Sequence, residues 1–307
     1  MSAKSTLRNL SGDRIARWPI KWPYWSLYSL INRKNNRDPY LHLHPKLSIR
    51  DFSCDDVDDH WSQFSVSRSP ARGLCNLFWA TLPWGAVKEE LGEIHILDCG
   101  CGKGEYGPRI LQFSQNAVTS YTGLDLRPNK NWQVLENQYP MFKFHRCAEK
   151  DASKYMQPAM NFFMTQSAIE HFNEDLTFFR QIRDHVYACN TPMIQVHLFP
   201  SSECLRLFRL HGFRQYTPRT VSKITGIFSD CSYSVLYRLG GMNCNDLHYK
   251  FITLPEIIER TGNLREKMPD EYMRNLRSAV EADLARENES PAFYALIIHS
   301  NPMSKLF

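Results

Sequence analysis

The chain lacks any apolar run of the roughly 18 residues needed to span a bilayer. Its opening stretch, MSAKSTLRNLSGDRIARW, has basic side chains but no apolar leader core. A cytoplasmic protein without a transmembrane segment is therefore expected. Nine cysteines are present, at 54, 75, 99, 101, 147, 189, 204, 231 and 244, yet none is spaced C-x-x-C, so a zinc ribbon is not expected. Without a secretory leader they are expected as reduced thiols. A large charge excess is lacking as well: +5 over 307 residues falls short of a nucleic-acid footprint by itself. Internal repeats and low-complexity tracts are missing. What the chain does have is 43% hydrophobic and 13% aromatic residues. That is enough for a sizeable core, which excludes a disordered chain.

The pattern changes along the chain. Residues 1–90 read as an N-terminal arm and helical cap. Within them, residues 17–25 hold three tryptophans and two prolines among basic neighbours, and proline predicts an extended arm there. Such an arm packs on the main domain, closes over a substrate as a lid, or touches a membrane surface. Residues 51–62 are acidic and polar, as in a loop. Residues 70–91 carry helical apolar spacing broken at Pro83. From 94 onward, short β-rich runs alternate with helical segments. Strands are expected at 94–99, 121–126, 141–145, 161–165, 193–199, 233–239 and 293–299. Helices are expected at 106–114, 132–138, 172–187 and 217–228. This alternation predicts an α/β fold with a doubly wound, mainly parallel, seven-stranded sheet in residues 91–307. The polar helical stretch 241–290 reads as an insertion before the last strand.

At the end of the first of these strands stands Asp98-Cys99-Gly100-Cys101-Gly102-Lys103-Gly104. Glycines there accept positive φ and let backbone approach a ligand. The helix that follows offers free N–H groups and a positive dipole end. Asp98 suits a ligand ammonium. A G-x-G-x-x-G dinucleotide fingerprint starting at Gly100 needs glycine at 105, where this chain has Glu105, which would face a pyrophosphate badly. Asp125 ends the next strand, where a carboxylate can accept both hydroxyls of a ribose.

The glycine spacing, with an acid two residues before Gly100, resembles motif I of class I S-adenosylmethionine-dependent methyltransferases. The resemblance extends over residues 94–200. It implies a Rossmann-like methyltransferase fold that binds S-adenosyl-L-methionine. Gly100, Cys101, Gly102, Gly104 and Tyr106 would lie along the methionine end, with Asp125 and Leu126 at the ribose. Cys147, Ala148 and Glu149 would lie at the adenine, Cys147 standing where the family carries an acid. The segment from Asn161 to Phe172, ending in Glu170-His171, is similar to the family's strand four and its exit in small-molecule and lipid-quinone enzymes. Asn161 replaces the usual leading acid, and Thr165 and Gln166 would line the methionine portion. Residues 1–90 and 241–290 carry no resemblance.

Methyl transfer needs alignment and, for a hydroxyl acceptor, a base. His171 and His197 lie at or near carboxyl ends of strands, where such sheets hold ligands. They are the catalytic candidates, with Glu170 orienting His171. In relatives with an E-x-x-E-H segment the glutamates help hold a divalent metal. Ser167 stands where the first would be, so no metal is expected. His42, His44, His145 and His211 have no claim from position. The N/D-P-P-Y and Pro-Cys segments of DNA methyltransferases and the two-glutamate hairpin of arginine methyltransferases are missing. The acceptor left is a hydroxyl, amine or carboxylate of a small molecule, glycan or lipid, a hydroxyl or amine being the leading expectation. RNA stays open because the aromatic, basic arm can stack bases. An NAD-dependent oxidoreductase and a non-catalytic cofactor-binding scaffold are the other readings.

Overall fold

Among the described residues, eight strands make one sheet: β1 (Leu47–Asp51), β2 (Ile94–Cys99), β3 (Val118–Asp125), β4 (Phe142–Arg146), β5 (Phe162–Gln166), β6 (Met193–Pro200), β7 (Ser232–Leu239) and β8 (Phe293–Ser300). The computed structural model describes residues 10–13, 19–207, 210–259, 262–287 and 290–307. The strand order is β1-β7-β8-β6-β5-β2-β3-β4. Every neighbouring pair is parallel except those of β8, which runs antiparallel to β6 and β7. The chain moves outward from β2 through β3 to β4, then returns to β5 on the other side of β2. Between β2 and β5 the winding reverses, and open sheets of this kind have their ligand crevice outside the carboxyl ends of the strands at that point. The central strands β5, β6 and β8 are buried along their whole length. This matches their continuous apolar runs, since helices cover both faces of the sheet.

The helices are α1 (Lys21–Asn35), α2 (Pro70–Ala80), α3 (Trp84–Leu91), α4 (Tyr106–Phe113), α5 (Asn131–Gln138), α6 (Asp175–Cys189), α7 (Pro218–Ile227), α8 (Met242–His248), α9 (Leu264–Lys267) and α10 (Pro269–Leu284). One core layer gathers Trp79, Val87, Ile110, Leu276 and Val280 with strand residues such as Ile96 and Phe162. The layer on the other face gathers Phe178, Phe179, Ile182, Val221 and Ile224 with Leu97 and Phe163. Helix α2 begins cleanly, with Ser69 accepting from Arg72 N and Pro70 in the first turn, where its missing N–H has no helical partner. The insertion before the last strand is present as α8, a π-type helix at Tyr249–Glu259, α9 and α10.

Two expectations need correction. Among the described residues the sheet has eight strands, because β1 comes from the N-terminal stretch and pairs with β7. This five-residue strand at the sheet edge carries too short an apolar alternation to stand out in sequence. The tryptophan-rich arm is not extended. Residues 17 and 18 lie outside the described residues, but from Lys21 the chain is helical. Pro23 falls in the first turn of α1, where a backbone N–H has no partner four residues back. Trp22, Leu27 and Leu30 are exposed, whereas Tyr28 is fully buried. Among the described residues, no helix is long and apolar enough to cross a membrane.

Candidate functional site

Gly100, Gly102 and Gly104 all have positive φ, at 85°, 57° and 78°. At Gly100 the requirement is double, since a side chain there would also collide with Ala168. The glycine turn therefore packs directly on the exit of β5. Gly100 N and Cys101 N donate to Leu124 O at 2.7 and 3.0 Å, tying the turn to β3. Gly102 N donates to Asp125 Oδ2 at 2.9 Å, and Arg127 N donates to Asp125 Oδ1 at 2.9 Å. The acid expected to meet a ribose thus sits against the turn, with both oxygens held in place by backbone. Leu126 beside it is an exposed apolar side chain. From α5, Trp132 Nε1 donates to Gly102 O at 2.8 Å and Asn131 Nδ2 donates to Lys103 O at 2.9 Å. Neither was picked out from sequence, because no local motif marks them.

Asp98 is buried, its Oδ2 accepts from the Tyr121 hydroxyl, and its Oδ1 has no partner. Burial pushes its carboxyl up to about 7. An ammonium group is the ligand chemistry that would satisfy such an atom. Cys101 packs toward the sheet, and burial raises its thiol far above the usual range, so it has no thiolate character. Tyr106 opens α4 and is half-buried. Its hydroxyl donates to Asn76 Oδ1 at 2.8 Å and accepts from Arg72 at 3.1 Å, and the guanidiniums of Arg72 and Arg109 flank its ring. At the far rim, Cys147 is buried, and its N donates to Asp125 O. Ala148 and Glu149 begin a short 3-10 helix.

The residues expected along the methionine portion face inward. Thr165 is fully buried, with Oγ1 3.0 Å from His197 Nδ1, and Gln166 Oε1 accepts from Trp79 Nε1 at 2.9 Å. His197 is likewise a core residue. It has no exposure, its ring packs against Phe178 and Phe179, and burial lowers its pKa to about 3. The alternation of β6 turns this side chain into the α6 layer rather than toward the crevice, which corrects its candidacy as a base.

His171 is half-exposed and belongs to a cluster. Asp13 Oδ2 lies 2.7 Å from its Nδ1, and Glu170 Oε1 lies 3.8 Å from its Nε2. His211, which had no claim from its position in sequence, lies with Nε2 3.5 Å from the same Glu170 oxygen. Burial pulls the His211 pKa down, but the Glu170 hydrogen bond and charge, with Asp13, raise it overall. Burial pulls Asp13 upward, but hydrogen bonds from His171 and Gly212 N hold its carboxyl below the usual range. Three backbone segments meet here. Phe213 N donates to Glu170 O at 2.7 Å and Gly12 N donates to Gly212 O. Gly212 has φ 63°, and a Cβ there would lie 2.6 Å from Glu170 O. Only glycine lets the loop approach this closely. Tyr28 of α1 donates to His211 O at 2.6 Å, so the arm braces the same loop.

No protein-family model and no curated protein matches the chain. Among solved structures, it is similar to the plantazolicin methyltransferase BpumL in complex with a triazolic desmethylPZN analog and SAH, at 11% identity and a TM-score of 0.48, over 80% of this chain and 92% of that one. It is also similar to the plantazolicin methyltransferase BamL in complex with the same kind of analog and SAH, at 11% identity and a TM-score of 0.45, over 74% and 85%. A third is a SAM-dependent methyltransferase from Archaeoglobus fulgidus, at 16% identity and a TM-score of 0.41, over 70% and 90%. At these levels the likeness carries no chemistry, which rests on the chain's own residues.

Proposed function

We propose that the chain is an S-adenosylmethionine-dependent methyltransferase acting on a hydroxyl or amine of a small molecule, glycan or lipid. The observation that carries this reading is the hydrogen bond from Gly102 N to Asp125 Oδ2, which joins the glycine turn and the ribose acid into one ledge at the crevice. The orphaned Oδ1 of Asp98 adds a second point of fit, for the ammonium of the methionine moiety.

Bound on that ledge, S-adenosylmethionine supplies an electrophilic methyl group on a sulfonium sulfur. Asp98 would hold the amino group, Asp125 the ribose hydroxyls, and Leu126 an apolar edge of the adenine, with Ala148 backbone and Glu149 beyond. Gly100, Cys101, Gly102, Gly104 and Tyr106 border the amino-acid end, as does backbone at Thr165 and Gln166. The acceptor then enters beside Ala168, where His171 and Glu170 form the polar wall. A hydroxyl acceptor must lose a proton as it attacks, and a half-exposed imidazole oriented by Asp13 suits that task.

Thermal unfolding with S-adenosylhomocysteine and with NAD, side by side, tests this. A ligand at about 100 times its Kd stabilises by about 2.7 kcal/mol. S-adenosylhomocysteine is expected to raise the Tm and NAD to leave it unchanged; stabilisation by NAD alone overturns the reading.

A further inference from the structure

We propose that the outward face of α1 docks on an anionic lipid surface, with the helix lying flat among the headgroups. Ile20, Leu27 and Leu30 are exposed, at 63%, 51% and 61%. With Pro23 and Lys34, which are also exposed, they follow one another at intervals of three and four residues and so form one stripe along the helix. Trp22 borders the stripe, 54% exposed, and packs edge-on against Trp25. Single apolar residues scattered over a surface need no partner, but a contiguous row marks a contact.

The opposite face of α1 is already fixed to the protein. Tyr28 and Asn32, one turn apart, are buried. Tyr28 donates to His211 O and accepts from Gln215 Nε2 at 3.1 Å. Beyond the helix, Arg219 N donates to Pro39 O at 2.8 Å and the Arg219 guanidinium donates to Arg37 O at 3.1 Å. The helix thus carries apolar side chains on two faces, a pattern that belongs to helices covered on both. The fold covers one.

Charge decides what covers the other. From Pro19 to Arg37 there are four basic residues and no acid. Arg37 meets Asp38, while Lys21, Arg33 and Lys34 have no acidic partner among the described residues. A second copy of the chain laid on this face by a twofold axis would set like charges against each other. Nucleic acid stacks its bases on aromatic rings, which Ile20, Leu27 and Leu30 do not offer. An anionic bilayer suits both halves of the face: the acyl boundary takes the aliphatic stripe, Trp22 sits at headgroup level, and the phosphates meet the cations. Since Tyr28 holds the His211 loop from the inner side, docking sets that loop roughly 10 Å, one helix diameter, from the lipid. What this does for catalysis rests on the methyl-transfer reading: it brings the acceptor end to a lipid-borne substrate.

The test is flotation of the full chain with phosphatidylcholine vesicles, with and without phosphatidylserine, at low and high salt. Binding is expected to the vesicles that contain phosphatidylserine and to weaken as salt rises. The double variant Leu27→Ser with Leu30→Ser, and the double variant Arg33→Glu with Lys34→Glu, should each weaken it about tenfold or more. All four side chains are exposed, so the Tm should stay at the wild-type value. No binding to anionic vesicles, or both variants binding like wild type, overturns the proposal. So does a dimer, or RNA binding, that the leucine variant abolishes in a chain that ignores vesicles. A chain that binds S-adenosylhomocysteine but no vesicles sinks this inference alone. One that binds vesicles but not S-adenosylhomocysteine sinks the methyl-transfer reading alone.

Discussion

The two ends of the crevice are built in opposite ways. The proposed cofactor end is local: Asp98 to Gly104 is one run of backbone, and Asp125 lies on the adjacent strand. The proposed acceptor end is assembled from segments far apart in sequence, with Asp13 meeting His171 across 158 positions. A local site leaves a pattern that spacing reveals, because backbone geometry forces glycine at fixed intervals. A convergent site leaves single residues with no spacing between them, and only packing makes them neighbours.

If the two ends are functionally separate, variants should divide binding from turnover. The largest effect is expected at the acceptor end. His171→Ala should lower kcat by about 100-fold to 10,000-fold with S-adenosylhomocysteine affinity intact. Unchanged turnover would remove His171 as the base. Next comes Asp125→Ala, which removes the acceptor of two ribose hydroxyls and should weaken S-adenosylhomocysteine binding by about 100-fold in calorimetry; tight binding by this variant would break the assignment of the ledge.

Gly100→Ala sharpens the comparison from the side of stability, since it strains φ and meets Ala168. A loss of about 2 kcal/mol in denaturant unfolding is expected, with weaker cofactor binding alongside. The pH dependence is smaller. Asp98 keeps its proton up to about 7 in the fold but only to about 3.8 when unfolded. The folded state thus binds the extra proton between these values, and stability falls as pH rises through that window. Binding an ammonium needs the ionised carboxylate, so S-adenosylhomocysteine affinity should rise with pH toward about 7, by at most about tenfold per unit. Asp98→Asn should abolish that slope; a slope that persists assigns it elsewhere. The smallest effect is expected for His197→Asn, with S-adenosylhomocysteine affinity within about twofold of wild type. A selective loss of turnover at unchanged Tm would return His197 to the acceptor's chemistry.

The α/β alternation was legible because each central strand is a continuous apolar run and each helix carries its own period. Glycines 100, 102 and 104, with Asp125, were legible for the same local reason. Strand β1 was not, being short and at the edge, and α1 was masked by prolines whose tolerance depends on falling before or within a first helical turn. His197 looked available from its place near a strand end, yet strand alternation buried it. His211 looked idle, yet Gly212 carries it to Glu170.

The sequence by itself determined the doubly wound core and the glycine-lined turn, since both follow from periodicities of a few residues. Tertiary structure alone decided which histidines face the crevice and that Asp13 joins them. The direction of a side chain and the meeting of distant segments are set by how layers and loops pack, and no short spacing encodes either.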